Sequence, residues 1–206
     1  MARLARWPGL RLVRPGGPTA PKPASDTAPV VSLRPVEERD IDTYLAAGVS
    51  SEIHRMYGGD PGNLPEPSIA RAHGWYDDIT AETCAFMIDA DGVAVGHLRL
   101  HAIDTHDGRA RLAIGLFREA DLGRGIGRRA IELVLEHGFM TLKLHRIDLR
   151  VLAFNTRAIR CYRACGFVHE GTERQACLIG NTWHDDWLMG ILRPEYLARQ
   201  TRQPGD

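Results

Sequence analysis

Gly123, Gly125 and Gly127 alternate with other residues at the head of the run LGRGIGRRAIELVLEHGF, which spans Leu122 to Phe139. Alternating glycines ahead of helix-forming residues let main-chain N–H groups converge on a phosphate, and the helix dipole adds positive potential at the same point. The donors on offer are the N–H groups of about Arg124 to Arg128, with Arg124, Arg128 or Arg129 supplying charge. A Walker loop needs a lysine after its glycines, and none follows. A dinucleotide fingerprint begun at Gly123 would need glycine where Arg128 stands. Two readings survive: a turn that holds a pyrophosphate, or a small-residue turn that lets a helix pack on a sheet. This segment alone leaves both open.

A second run, NTRAIRCYRACGF from Asn155 to Phe167, brings Ala158, Ile159 and Tyr162 onto one helical face. Asn155 suits a helix N-cap, and Gly166 suits the residue just past the helix end. A phenol with a pKa near 10 is able to donate a proton; on an amphipathic helix it is also an ordinary core aromatic. Metal chemistry is not expected. His97 and His101 fall in a strand-like run, where four residues span roughly 13 Å. Cys84, Cys161, Cys165 and Cys177 have neither paired metal spacing nor the density of a disulfide scaffold, and free thiols are expected.

These groups need elements to hold them. VVSLRP at 30–35 reads as a strand, and VEERDIDTYLAAG reads as a helix with Ile41, Tyr44 and Leu45 at helical spacing. A Gly/Pro loop over 56–67 leads to a helix over 68–81, in which Ile69, Ala72, Tyr76 and Ile79 share a face. TCAFMI, VAVGHLRLHAI and RARLAIGLF then read as an antiparallel meander joined by turns at Asp91-Gly92 and Asp107-Gly108. The helix after the glycine loop buries Ile131, Val134, Leu135 and Phe139; LHRIDLRV is a further strand. FVHEGTERQACLI and TWHDDWLMGIL close the chain as a hairpin around Gly180-Asn181. Strands and helices in this irregular order specify an α+β fold with a mixed sheet. Residues 1–29, rich in Pro, Gly, Ala and Arg, read as a disordered extension, 30–199 as the domain and 200–206 as a flexible tail.

The glycine loop after an AIGLF strand, the Asn-x-x-Ala-x-x-x-Tyr helix ending in Gly-Phe, and RMYGG before the 68–81 helix occur here in one order. Together they resemble the GCN5-related N-acetyltransferase (GNAT) superfamily, especially its ribosomal-protein N-terminal acetyltransferase branch, over about 30–197. The resemblance implies a mixed, mostly antiparallel central sheet flanked by helices, with a splayed strand pair holding the coenzyme. It implies acetyl-CoA as co-substrate and direct acetyl transfer to a primary amine, with no metal. Gly115 would lie near the acetyl carbonyl, its N–H meeting the oxyanion, and Tyr162 would protonate the leaving thiolate. Leu116 and Phe117 continue that strand beside the pantetheine arm. Leu122, Gly123, Arg124, Gly125, Ile126, Gly127 and Arg128 would hold the pyrophosphate, and Asn155 would hydrogen-bond the pantetheine. Leu122 departs from the family pattern, which often has Arg or Gln there, although the contacts at that point are chiefly main-chain ones.

Some family members carry a glutamate on the strand before the glycine loop, where this chain has Arg109 and Arg111. His97, His101, Asp104 and Glu119 are the other candidates for a general base, and none is assigned. The acceptor is expected between the early helices with their 56–67 loop and the final hairpin. Asp60, Glu66, Asp77, Asp78, Asp185 and Asp186 put carboxylates there, and Trp75, Trp183 and Trp187 could line a groove. A protein or peptide amine is the leading acceptor by resemblance, followed by an aminoglycoside-like or polyamine small molecule. A non-catalytic acyl-CoA sensor on the same fold is the rival from another class. The net charge of +0 argues against nucleic acid as a partner, no apolar run is long enough to span a bilayer, and a cytoplasmic enzyme is expected. The edge of the last hairpin would suit a homodimer.

Overall fold

A computed structural model describes residues 28–201; the extension read over 1–29 lies almost wholly outside the described residues, as does the chain beyond Thr201. The order is β1 (Val31–Arg34), α1 (Asp40–Ala47), α2 (Ser51–Met56), α3 (Ile69–Thr80), β2 (Ala85–Ala90), β3 (Val93–Asp104) and β4 (Arg109–Leu116). It continues with α4 (Ile126–Glu136), β5 (Arg146–Leu152), α5 (Thr156–Cys165), β6 (Val168–Ile179), β7 (Thr182–Leu192) and α6 (Arg193–Thr201). Two helices escape the sequence pattern. α2 is six residues long, too short to repeat an apolar stripe, and starts where Ser50 accepts the N–H of Ile53. α6 carries residues 200 and 201, assigned above to a tail, as its last turn.

The seven strands form one sheet in the order β1-β2-β3-β4-β5-β7-β6, in which β4 and β5 are parallel and the other neighbours antiparallel. The meander turns where the sequence specifies. Asp91 and Gly92 both take positive φ, 52° and 82°, the two left-handed residues of a type I′ turn.

Period-2 alternation then divides the sheet into two faces. Leu98 and Leu100 of β3 and Ile147 and Leu149 of β5 are buried in one core with Ile126, Ile131, Val134 and Leu135 of α4. The residues between them point the other way. There His97 meets Trp75 of α3, which stacks on Tyr44 of α1 at 4.4 Å between centroids. Helices cover both faces, and the site lies where the sheet itself is interrupted.

Candidate active site

β4 and β5 pair at three positions only, Arg109↔Arg146, Ala110↔Ile147 and Arg111↔Asp148. The root of this fork is tied by Arg111, whose Nε donates to Asp148 Oδ1 at 3.0 Å. Beyond it the strands diverge, β4 staying on β3 and β5 on β7. The divergence leaves one side of β4 without a strand partner. A cavity of about 520 Å³ occupies the gap, lined by residues 111–116 of β4, the glycine loop, and Asn155, Ala158 and Tyr162.

The register determines which main-chain groups face that gap. Phe117 N–H donates to Val95 O at 2.9 Å. Bonded pairs alternate in an antiparallel ladder, so Gly115, opposite His97, is also turned to β3. Ile114 and Leu116 therefore present their N–H and C=O groups to the cavity. Tyr57 accordingly donates its hydroxyl to Ile114 O. This corrects two expectations. Gly115 lines the cavity, but its N–H is engaged with β3, and the open donors are one residue to either side. Phe117 does not line the cavity; its ring packs edge-on against Tyr44 and Trp75 on the α1/α3 face. Glycine is nonetheless required at 115, because a Cβ there would stand 2.2 Å from the Tyr57 hydroxyl.

The glycine loop decides between its two readings. Gly123 and Gly125 have φ of 75° and 81°, which L side chains rarely adopt. A Cβ on Gly123, Gly125 or Gly127 would meet nothing within 4 Å. Helix–sheet packing therefore does not demand small residues here; the space above the loop is open to a ligand, and Ile126 begins α4 directly behind it. Asp121, unremarked in the sequence, sets the loop's approach. Its side chain is buried, and its two oxygens accept from Arg118 Nε at 2.9 Å and Arg124 Nη1 at 3.2 Å. That pairing turns Arg124 aside, so Arg124 does not line the cavity, whereas Arg128, paired with Glu132, does. The signal for Asp121 was its position, an acid just ahead of a basic glycine loop.

On the opposite wall, Asn155 caps α5, its Oδ1 accepting Ala158 N–H at 3.1 Å. Its side-chain NH2 has no protein partner among the described residues. Two turns on, Tyr162 lines the same cavity and packs edge-on against Phe167. Burial raises the Tyr162 phenol above its ordinary range, with Tyr57 and the thiols of Cys161 and Cys165 adding to the shift, so it stays protonated. All four cysteines are free.

Of the proposed bases, Asp104 accepts the N–H groups of its own turn, and Glu119 accepts the Ser50 hydroxyl. His97 does not line the cavity; it packs under Trp75 on the face toward which a Gly115 Cβ would point, and burial lowers its pKa to about 4. His101 does line the cavity; burial, with Arg99 adding, lowers its pKa. Of the six acceptor-side carboxylates, only Asp186 lines the cavity. Asp60 accepts Gly62 N–H in its loop, Asp185 accepts Gln175 N–H, and Glu66, Asp77 and Asp78 are exposed. Trp183 is 56% exposed on the hairpin, and Trp187 packs with His169 and Arg163. Among the described residues no group of three or more His, Cys, Asp or Glu could hold a metal, and no helix is long and apolar enough to cross a membrane.

A slot between forked strands, with open peptide groups along one wall and a glycine-headed helix at its end, fits a long, thin, phosphorylated ligand. Proteins built this way take acyl groups from coenzyme A. Residues 31–168 match the family model described as "Acetyltransferase (GNAT) domain", and the chain belongs to that family. It is an acetyl-CoA-dependent N-acetyltransferase. It is 27% identical over 177 residues to the spermidine N(1)-acetyltransferase of Escherichia coli K12, spanning 85% of this chain and 92% of that protein. It is 37% identical over 83 residues to the probable N-acetyltransferase YjcK of Bacillus subtilis, 40% of this chain and 46% of that one. Among solved structures, spermidine N-acetyltransferase from Vibrio cholerae in complex with CoA and spermine superimposes with a TM-score of 0.69 at 26% identity, covering 81% of this chain and 98% of that chain.

Proposed function

We propose that this protein acetylates a primary amine of a small aliphatic polyamine. The observation that carries the transfer chemistry is the fork: it leaves Ile114 and Leu116 N–H open on one wall, with the protonated Tyr162 phenol on the other. The choice of a polyamine is supported by the spermidine acetyltransferases that resemble this chain over most of both lengths. They favour it over the protein or peptide amine that the ribosomal-protein branch would imply.

Acetyl-CoA supplies an activated thioester. The loop from Leu122 to Gly127, with Arg128, binds its pyrophosphate through main-chain donors and helix dipole. Asn155 offers its free amide N–H to the pantetheine. Ile114 or Leu116 N–H stabilises the negative charge that develops on the carbonyl oxygen during amine attack. Tyr162 gives its proton to the sulfur as the C–S bond breaks, and the acetylated amine's proton passes to water. Juxtaposition of the two reactants supplies much of the rate without a covalent enzyme intermediate. The described domain runs from β1 to α6, and the free edge of β6 is the surface at which a second copy would pair.

The test is acetyl-CoA-dependent CoA release over spermidine, aminoglycosides and N-terminal peptides. Preferential turnover of spermidine is expected. Turnover confined to peptides would return the acceptor to a protein amine, and acetyl-CoA binding without turnover of any amine would favour the sensor reading.

A further inference from the structure

β4 brings no carboxylate to the cavity: at the fork root stands Arg111, already committed to Asp148, and Asp186 lies four residues farther along, opposite Leu152. Two carboxylates stand in the lining: Asp121 at the glycine loop, whose oxygens are already taken by Arg118 and Arg124, and Asp186 on β7. Asp186 is 7% exposed. Arg150 Nη2 holds its Oδ2 at 2.5 Å, which fixes the plane of the group, while no hydrogen bond among the described residues engages Oδ1. The same Arg150 also binds Glu173, through Nε at 3.1 Å. Two carboxylates thus share one guanidinium and the cluster carries a net negative charge; Asp186 is its buried member, while Arg150 and Glu173 are partly exposed. Such a cluster is complementary to a cation that can reach Oδ1.

Position decides which cation. Asp186 pairs with Leu152 at the end of β5, so β7 lies one strand beyond the far wall of the fork and about 10 Å or more from β4, where the reacting carbon is held. That is too far for a short side chain to touch the nitrogen being acetylated. It suits a second nitrogen a few bonds farther along the same acceptor. We infer that Asp186 receives a non-reacting ammonium of the acceptor and selects diamines and polyamines over monoamines. The inference rests on the polyamine reading above and names the residue that would make it true.

The test compares spermidine with a linear alkylamine of matched length, in the wild type and in Asp186→Asn, which keeps the size of the side chain and an acceptor for Arg150. Asp186→Asn is expected to lower kcat/KM for spermidine roughly tenfold or more through KM. The KM for acetyl-CoA and the turnover of the alkylamine should stay within about twofold. Glu173→Gln, which alters the other partner of Arg150 outside the cavity, should leave the preference for spermidine in place. If the wild type does not prefer spermidine to the alkylamine, the polyamine reading fails and takes this inference with it. If it does and Asp186→Asn keeps the preference, or loses both substrates equally, the inference alone is overturned.

Discussion

Replacing Gly115 with alanine probes the contact on which the shape of the cavity depends. A Cβ there would stand 2.2 Å from the Tyr57 hydroxyl and 3.0 Å from its Cζ. Ordinary contact is about 3.5 Å, so the hydroxyl must retreat by roughly 1.3 Å and release Ile114 O. Tyr57 is 60% exposed to the open cavity, so the ring swings aside and the sheet is spared. The penalty is then one hydrogen bond, about 0.5–1.5 kcal/mol, and not the 1–3 kcal/mol of overpacking a closed core. For a domain of this size that lowers Tm by roughly 1–6 °C. In a Tyr57→Phe background no such bond remains to be lost and the nearest ring atom sits farther off, so the same substitution should cost less than about half as much. Thermal unfolding of the four proteins of this cycle measures the coupling, and steady-state kinetics should show kcat/KM falling as the displaced ring enters the cavity. Equal destabilisation in both backgrounds would refute the contact and, with it, the account of why residue 115 is glycine.

Other outcomes follow from the same geometry. Tyr162→Phe should lower kcat at least about tenfold with the KM for acetyl-CoA unchanged. Because burial holds the wild-type phenol above its ordinary range, kcat should show no descending limb from this group below about pH 10; a limb near pH 8 that vanished in the variant would contradict the assignment. His97 titrates near 4 in the folded protein, because burial disfavours the imidazolium, against 6.5 in the unfolded chain. The unfolded state therefore binds more protons between those values, and unfolding free energy should fall as pH drops from 7 to 5, by up to about 2 kcal/mol. Urea midpoints at the two pH values should come closer together in His97→Gln. Asp121→Asn weakens two charge-assisted hydrogen bonds whose arginines are partly exposed, so about 1 kcal/mol is expected from urea denaturation.

Much of this fold was written locally. The Asp91-Gly92 turn, the N-cap at Asn155 and the C′ glycine at 166 each follow from the conformational preference of one or two residues, and each stands where the sequence put it. α2 was illegible because six residues cannot display a helical period, and α6 because its one buried residue, Tyr196, packs on Phe139, far away in sequence. At the site, the glycines and Tyr162 could be read because motif spacing carries them. The hydrogen-bonding parity of β4 could not: which of Ile114 and Gly115 faces the gap is fixed by pairing with β3, a property of register and not of residue type. Asp186 was one acid among six until β7 was laid beside β5.

The fork has a further consequence for the economy of the sheet. An unpaired strand edge normally invites another polypeptide, and sheets guard such edges with charges, bulges or coverings. Here the edge is internal, and its open peptide groups lie in a slot whose far wall is another strand of the same sheet. A second chain cannot lie flat against it, but a slender amide-bearing molecule can. The protein thereby keeps the adhesive power of a bare edge while denying it to other proteins, and the guest that fills the slot completes the ladder. Ligand binding and cohesion of the two half-sheets are on this view one equilibrium.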